Sequence, residues 1–336
     1  MEYKVANYER DKKTLEQQYI NLGKLYLSSQ SDDNAKRLIE NMFTCLDLMC
    51  EYNIVEPIND KINRLLNFSE NHYKKSQTTK AKELLAYTLG RAGDIKRHIN
   101  FLTLTPSRDY ASLYEKSFDL YTELYDANMS LEKAYRVGMC RSYLRCGTLR
   151  AFGNSLHYLL QAQMIAYDDS RTLTDEKALL QEIHFALASK YSEPWAVDEN
   201  LEMAKENCEL VQSLSKELYG VHMPLINKRN FARNSFLYGT LLKKENNNQK
   251  AYQYYDIGAR LYLEIYDKVP TPQSCFDWGM SCYNIAMFNE ETIDLTFLEK
   301  AHTTFQKLVN DYPNIQRYKE LYQRIKILRF PAHPPF

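Results

Sequence analysis

Large and small residues recur at helical spacing near the start of the chain. Tyr19, Leu22, Gly23 and Tyr26 are separated by three, one and three positions. Because an α-helix has a period of 3.6 residues, this spacing places all four side chains on one face. The stretch therefore predicts an amphipathic helix with a small residue in the middle of its packing face.

The helical pattern is interrupted once and then resumes with a small residue followed by a large one. Ser31 and Asp33 interrupt it and supply oxygens that cap the start of a helix. Ala35 and Ile39 follow one turn apart. Gly23 and Ala35 lie 12 positions apart, so we predict that two antiparallel helices approach closely at these small residues.

The same step recurs later in the chain, from Gly239 to Ala251, with Tyr255 one turn further on. Only 10 glycines and 10 prolines occur among 336 residues. Turn-rich β-folds need more of both residues, so their scarcity favours helices. We predict about 13 to 14 helices in antiparallel pairs, the last of them a charged capping helix.

This spacing of small and large residues resembles the tetratricopeptide repeat. The resemblance is specific near 16–47, 232–265 and 298–313. It implies an all-α fold, a right-handed α-solenoid of antiparallel helix pairs forming a superhelix. It also implies N-terminal hairpins over 1–107, a repeat array with a capping helix over 108–330, and a flexible tail over 331–336. A separate helical bundle over 55–107 is the alternative for the weakest part of the pattern.

Two local patterns carry further predictions. Gly93 and Asp94 predict a tight turn that divides a degenerate repeat into two helices. Tyr114, Phe118 and Tyr121 belong to an aromatic stripe at helical spacing. Such a stripe is typical of packing against a neighbouring helix, and a surface on which a ligand stacks is the alternative.

The bulk composition excludes some classes of protein. With 43 basic and 43 acidic side chains, the chain lacks the positive field of a general polyanion binder. Seven cysteines without a C-x-x-C pair indicate reduced thiols in a cytosolic protein. No uncharged segment is long and apolar enough to span a bilayer, and the amino terminus has no signal core. We therefore expect a cytoplasmic protein that does not bind membranes.

No motif of catalytic or cofactor chemistry occurs in the sequence. G-x-G-x-x-G, G-x-x-x-x-G-K-[ST], H-E-x-x-H and G-x-S-x-G are all absent. His184 lies near Glu182, but the spacing does not suit a metal pair. We expect no cofactor, no metal and no enzyme activity.

The resemblance implies that the first helix of each repeat lines a concave groove for a peptide or a partner protein. The positions that face this groove in the family correspond here to Lys24, Arg141, Arg145, Arg233, Phe236, Lys243, Phe276 and Asn284. Arginines beside aromatic residues are suited to bind a peptide carboxylate. The alternative is that these positions form ordinary solvated helix faces.

Three functional hypotheses follow. The first is a non-catalytic scaffold or adaptor that binds a protein or peptide in the groove. The second is a regulatory receptor for a short signalling peptide, and the third is an enzyme subunit built on helical hairpins. The sequence does not distinguish a monomer from an oligomer.

Overall fold

The structure is a computed structural model, and it describes residues 2–105, 107–127, 133–148, 155–167, 176–193, 199–219, 223, 225–289 and 292–329, with side chains from residue 8. The described residues contain fourteen α-helices and no β-strand. The chain divides by its internal contacts into unit 1, Met1–Ile165, and unit 2, Ala166–Phe336.

Unit 1 contains seven helices. They are α1 (Glu2–Ser28), α2 (Asp32–Glu51), α3 (Ile58–Ser76), α4 (Thr79–Thr103), α5 (Asp109–Ala127), α6 (Lys133–Gly147) and α7 (Ser155–Ala166), whose last residue falls just past the division. Besides its neighbours in the chain, α2 contacts α4, and α4 contacts α6. The even-numbered helices of unit 1 therefore form one layer.

Unit 2 contains the other seven helices. They are α8 (Lys177–Tyr191), α9 (Leu201–Tyr219), α10 (Leu225–Lys244), α11 (Asn248–Lys268), α12 (Pro272–Ala286), α13 (Leu295–Asp311) and α14 (Gln316–Arg329). Each helix from α8 to α13 packs against the next one, and α8 also packs against α10. The predicted class, an all-α solenoid of antiparallel helix pairs, is confirmed within each unit.

Helix starts follow from capping side chains. Ser31 accepts a hydrogen bond from the Asn34 backbone at the start of α2. Thr271 and Ser274 form a reciprocal capping box at the start of α12, with Pro272 in its first turn. These side chains satisfy backbone N–H groups that have no partner within the helix. The predicted starts of α2 and α12 are thereby explained from local sequence.

The predicted turn at Gly93 and Asp94 is wrong, because α4 continues through both residues to Thr103. A Cβ atom at Gly93 would lie 2.5 Å from Cε1 of Tyr114. Gly93 therefore makes room for an aromatic ring of α5, and Asp94 pairs with a side chain of α6 instead of ending the helix. Close packing, not a turn, accounts for the glycine.

The predicted close approach at Gly23 is also wrong. A Cβ atom added to Gly23 would meet no heavy atom of another element within 4 Å. Helix α1 contacts its neighbours through other side chains, as in the hydrogen bond from Asn41 to Gln18 and the one between Tyr26 and His72. At Gly239 the prediction is confirmed, because a Cβ atom there would lie 2.9 Å from the Ala251 carbonyl oxygen.

The predicted division at 107 and 108 falls between α4 and α5, which pack against each other within unit 1. The partition into 1–107 and 108–330 stays a prediction, and the tail at 331–336 lies outside the described residues. Among the helices that the structure describes, none is both long enough and apolar enough to cross a bilayer.

Candidate functional site

The sequence-predicted site residues lie in both units. Unit 1 carries Lys24 on α1, and Arg141 and Arg145 on α6. Unit 2 carries the other five, which are Arg233, Phe236 and Lys243 on α10, and Phe276 and Asn284 on α12.

Arg145 lies in a helix interface with only 12% of its side chain exposed, and it does not face solvent as a groove residue would. Its Nε and one terminal nitrogen donate to the two carboxylate oxygens of Asp94 at 3.0 and 2.9 Å. The Tyr114 hydroxyl donates to the same carboxylate at 3.0 Å. Burial lowers the pKa of Arg145, but the charge and hydrogen bonds of Asp94 outweigh burial and raise it. Arg145 therefore joins α6 to α4 and is not available to a ligand.

The other two candidates of unit 1 do not form a common site with Arg145. Lys24 is exposed on α1, beside the open face at Gly23. Arg141 is half-buried, and its Nε has no hydrogen-bond partner within the described part of unit 1.

In unit 2, Phe276 is a core residue. Its ring lies 5.8 Å from the Phe305 ring and 5.6 Å from the Tyr318 ring, and only 7% of the residue is exposed. The prediction that it faces a groove is wrong, because α13 and α14 cover this side of α12. Asn284 lies eight residues after Phe276 on the same helix and is half-buried.

The charged residues of α10 are all basic. Its sequence contains five basic residues, namely Lys228, Arg229, Arg233, Lys243 and Lys244, and no acidic residue. The whole chain has equal numbers of basic and acidic side chains. Positive charge is therefore concentrated on α10, as it also is on α6, in a chain that is neutral overall.

Three of these five cations have carboxylate partners inside unit 2. Arg229 donates through Nε to Asp277 at 2.9 Å, and both side chains are more than nine-tenths buried. Lys228 pairs with Glu264 at 2.5 Å, and Lys244 pairs with Glu199 at 3.4 Å.

Arg233 is exposed, as Lys244 also is, and no carboxylate pairs with Arg233 among the described residues. Its guanidinium lies near the hydroxyl of Tyr262 on α11. Burial raises the pKa of Tyr262, although the nearby Arg233 acts in the opposite direction. Arg229 donates to one oxygen of the Asp277 carboxylate, and Gln273 donates to the other at 3.0 Å.

Aromatic rings pack beneath the exposed side of α10. The Phe236 ring lies 5.1 Å from the Tyr255 ring and 6.2 Å from the Tyr262 ring. The Lys243 ammonium lies 5.5 Å from the centre of the Phe288 ring, which is within the range of a cation–π interaction. We call the set Arg233, Phe236, Thr240 and Lys243 the α10 face.

The resemblance placed all four of these residues, Thr240 included, on the groove side of the helix. The sequence did not reveal the pair of Arg229 with Asp277. The absence of acidic residues from α10 can be read from the sequence, although α6 shares it.

Comparisons with known proteins add little. No protein-family model matches the chain, and no curated protein matches it. A solved structure described as the hypoxic regulator of sterol synthesis Nro1, a nuclear import adaptor, aligns with a TM-score of 0.45 and 11% identity over 94% of this chain and 99% of that chain. A second structure, the S. pombe nuclear import adaptor Nro1, gives a TM-score of 0.42 and 12% identity over 88% of this chain and 99% of the other. At these scores the likeness carries no inference about this chain, and membership of the tetratricopeptide repeat family stays a prediction.

Proposed function

We propose that this protein is a non-catalytic scaffold whose α10 face binds an extended, acidic segment of a partner protein. The observation that carries the proposal is Arg233, an exposed guanidinium without a carboxylate partner in the described part of unit 2. An exposed guanidinium is suited to bind a carboxylate through two parallel hydrogen bonds.

The length of the α10 face indicates the size of the bound segment. Arg233 and Lys243 are ten residues apart on one helix, which corresponds to about 15 Å at 1.5 Å per residue. An extended peptide covers this distance with about four to five residues at roughly 3.3 Å each. We therefore expect two carboxylates, four or five positions apart, to contact the two cations, with Phe236 and Thr240 between them.

Nucleic acid is a poorer fit to this face than an acidic peptide. Affinity for a phosphate backbone grows with the number of phosphates that cations neutralise. Three of the five basic residues of α10 already have carboxylate partners. The exposed Arg233 suits a carboxylate better than a continuous array of phosphates.

The state of the thiols supports a scaffold over an enzyme. Burial raises the pKa of Cys50, Cys140, Cys146, Cys208 and Cys282 to about 12. The thiolate is the nucleophile in cysteine chemistry, so these groups are poor nucleophiles at neutral pH. Reduced thiols also accord with a cytoplasmic location, which we propose for this protein.

The test uses a fluorescein-labelled octapeptide of serines with glutamate at its second and seventh positions. Its anisotropy is measured during titration with the full-length chain. We expect binding that weakens about tenfold in Arg233→Gln, the size of one charge-assisted hydrogen bond of about 1.5 kcal/mol. We also expect weaker binding at higher salt concentration.

Two controls make the test specific. Arg260→Gln removes an arginine that is 70% exposed on α11, where it pairs with Asp256, and we expect it to leave binding unchanged. An octapeptide with lysines in place of the glutamates should bind more weakly, and Arg233→Gln should leave its binding unchanged. Equal binding of the two peptides, or equal loss in both variants, would exclude the α10 face as a site for acidic segments.

The alternative of a receptor for a short signalling peptide uses the same face. It is distinguished by purifying the protein from its native source and identifying bound molecules by mass spectrometry. A folded partner favours the scaffold, whereas a free peptide of a few residues favours the receptor.

A further inference from the structure

A pocket of about 300 Å³ lies in unit 1, far along the sequence from the α10 face. Helices α2 and α4 form its walls, and Tyr121 of α5 contributes to its lining. The lining residues are Asp32, Asp33, Lys36, Ile39, Glu40, Lys80, Glu83, Leu84, Tyr87 and Tyr121. The pocket thus combines an apolar and aromatic surface with charged groups, a composition typical of ligand sites.

The seam between α2 and α4 already binds one arginine of the chain itself. The Arg91 guanidinium of α4 lies 5.3 Å from the centre of the Phe43 ring. One of its terminal nitrogens lies 2.8 and 2.7 Å from the two oxygens of Asp47 on α2. A ring from one side and a carboxylate from the other therefore hold a guanidinium at this seam.

An aromatic ring and a carboxylate also line the pocket, about one to two turns closer to the N-termini of α4 and α2. Tyr87 lies one turn before Arg91 on α4, and its ring contacts the Phe43 ring edge-to-face at 5.6 Å. Glu40 lies two turns before Asp47 on α2. We propose that the pocket between α2 and α4 binds an arginine side chain of a partner protein, stacked on Tyr87 and paired with Glu40.

The charge of the lining favours a cation. Four carboxylates and two ammonium groups line the pocket, which leaves an excess of two negative charges. The N-termini of α2 and α4 together contribute about one positive charge, at roughly half a charge each. The remaining charge is negative, so a cationic side chain is attracted and an anion is not.

Hydrogen bonding determines which carboxylates are available. Asp32 is occupied, because Thr78 donates to one oxygen at 2.7 Å and His72 and Ser76 contact the other at 2.8 and 3.0 Å. Lys36 lies 4.0 Å from Glu40, which is too long for a hydrogen bond. Glu40 therefore keeps the capacity to accept both donors of a guanidinium.

Helix α6 packs against Tyr121, which is part of the aromatic lining of the pocket. The Tyr121 ring packs directly on Gly138 of α6, where any side chain would overlap it. Tyr121 is only 4% exposed. Tyr121 therefore forms a rigid surface, and the long apolar stem of arginine can pack against it and against Leu84.

The test measures the anisotropy of a fluorescein-labelled octapeptide of serines with one central arginine, titrated with the full-length chain to millimolar concentration. Matched peptides carry lysine or citrulline at the same position. We expect the arginine peptide to bind more tightly than the lysine peptide, because a planar guanidinium stacks and pairs at two points. The citrulline peptide, which keeps the shape and lacks the charge, should not bind.

Variants locate the binding site. Glu40→Gln should weaken binding by about fivefold, which corresponds to about 1 kcal/mol for one ion pair near the surface. Tyr87→Leu, which keeps an apolar side chain and removes the ring, should weaken it about threefold. Asp60→Asn is the control, because Asp60 is also an exposed acid but lies on α3 outside the pocket.

Circular dichroism of each variant verifies that the helices are intact. Equal affinity for the arginine and citrulline peptides, or no binding of either to the parent chain, would overturn the proposal. So would a Glu40→Gln variant that binds like the parent. The pocket proposal is independent of the α10 face, because it concerns another unit and a partner segment of opposite charge.

Discussion

Two glycines with the same place in the sequence pattern occupy different surroundings at the residue scale. Gly239 packs against α11, where an added Cβ atom would lie 2.6 Å from the Tyr255 ring and 2.9 Å from a backbone oxygen. Gly23 faces open space on α1. The first glycine permits close helix packing, and the second only adds flexibility to the unfolded chain.

The alanine variants of these glycines should change stability in opposite directions. We expect Gly239→Ala to lower the free energy of unfolding by about 1–3 kcal/mol, because a backbone carbonyl cannot move aside. Gly23→Ala should raise it by about 0.5–1 kcal/mol through better helix propensity. Urea denaturation followed by circular dichroism measures both. A destabilised Gly23→Ala would show that α1 packs at Gly23 after all.

At the scale of elements, long helices are held together by a polar link as well as by apolar contacts. Arg145 of α6 and Tyr114 of α5 both bind Asp94 of α4. Three helices therefore meet at one carboxylate. This link also explains why α4 stays helical at a Gly-Asp pair that usually indicates a turn.

Removing that carboxylate leaves a buried guanidinium without its counter-charge. We expect Asp94→Ala to cost about 2–3 kcal/mol of unfolding free energy, discounted from the value for a fully buried pair because a third of the Asp94 side chain is exposed. The double variant Asp94→Ala with Arg145→Leu should recover part of this loss. Arg260→Ala on the surface of α11 is the control and should cost less than about 1 kcal/mol. A loss in Asp94→Ala no larger than in this control would mean that the link contributes little.

At the scale of the whole molecule, positive and negative charges balance in number but are unevenly distributed. The chain has no net charge, yet α10 is entirely basic in its charged residues and the pocket of unit 1 has more acids than bases. The two proposed sites therefore attract partner segments of opposite charge. A neutral total charge reduces non-specific binding while each site keeps its own field.

The stability of the whole molecule should also depend on pH through a buried histidine. Burial lowers the pKa of His184 below its usual 6.5, and its ring nitrogens are hydrogen-bonded to Tyr167 and Asn207 at 2.8 Å each. The unfolded chain binds a proton more readily than the folded one. Stability is therefore complete above the unfolded pKa and decreases as the pH falls below it.

We expect the midpoint of urea unfolding to decrease when the pH is lowered from about 7 to about 5, the range in which histidine titrates. The decrease should be smaller in His184→Gln, which has no titrating group at this position. A parallel decrease in both proteins would assign the pH dependence to other groups.

The sequence by itself determined the all-α class, the number of helices, the capped starts of α2 and α12, and the close contact of Gly239 with Ala251. These features depend on periodicity and on side chains that act within a few residues, so local sequence is sufficient. It also selected Arg233, Phe236 and Lys243 from their positions on a helix face.

Only the tertiary structure decided which of the selected side chains are accessible. Arg145 and Arg233 are alike in the sequence, but Asp94 binds the first and no carboxylate of the described chain pairs with the second. Phe276 is buried because α13 and α14 cover it. Periodicity shows which residues share a face, whereas burial and charge pairing depend on the helix that packs against that face, which can lie 50 residues away in the chain, as Asp94 and Arg145 do at a separation of 51.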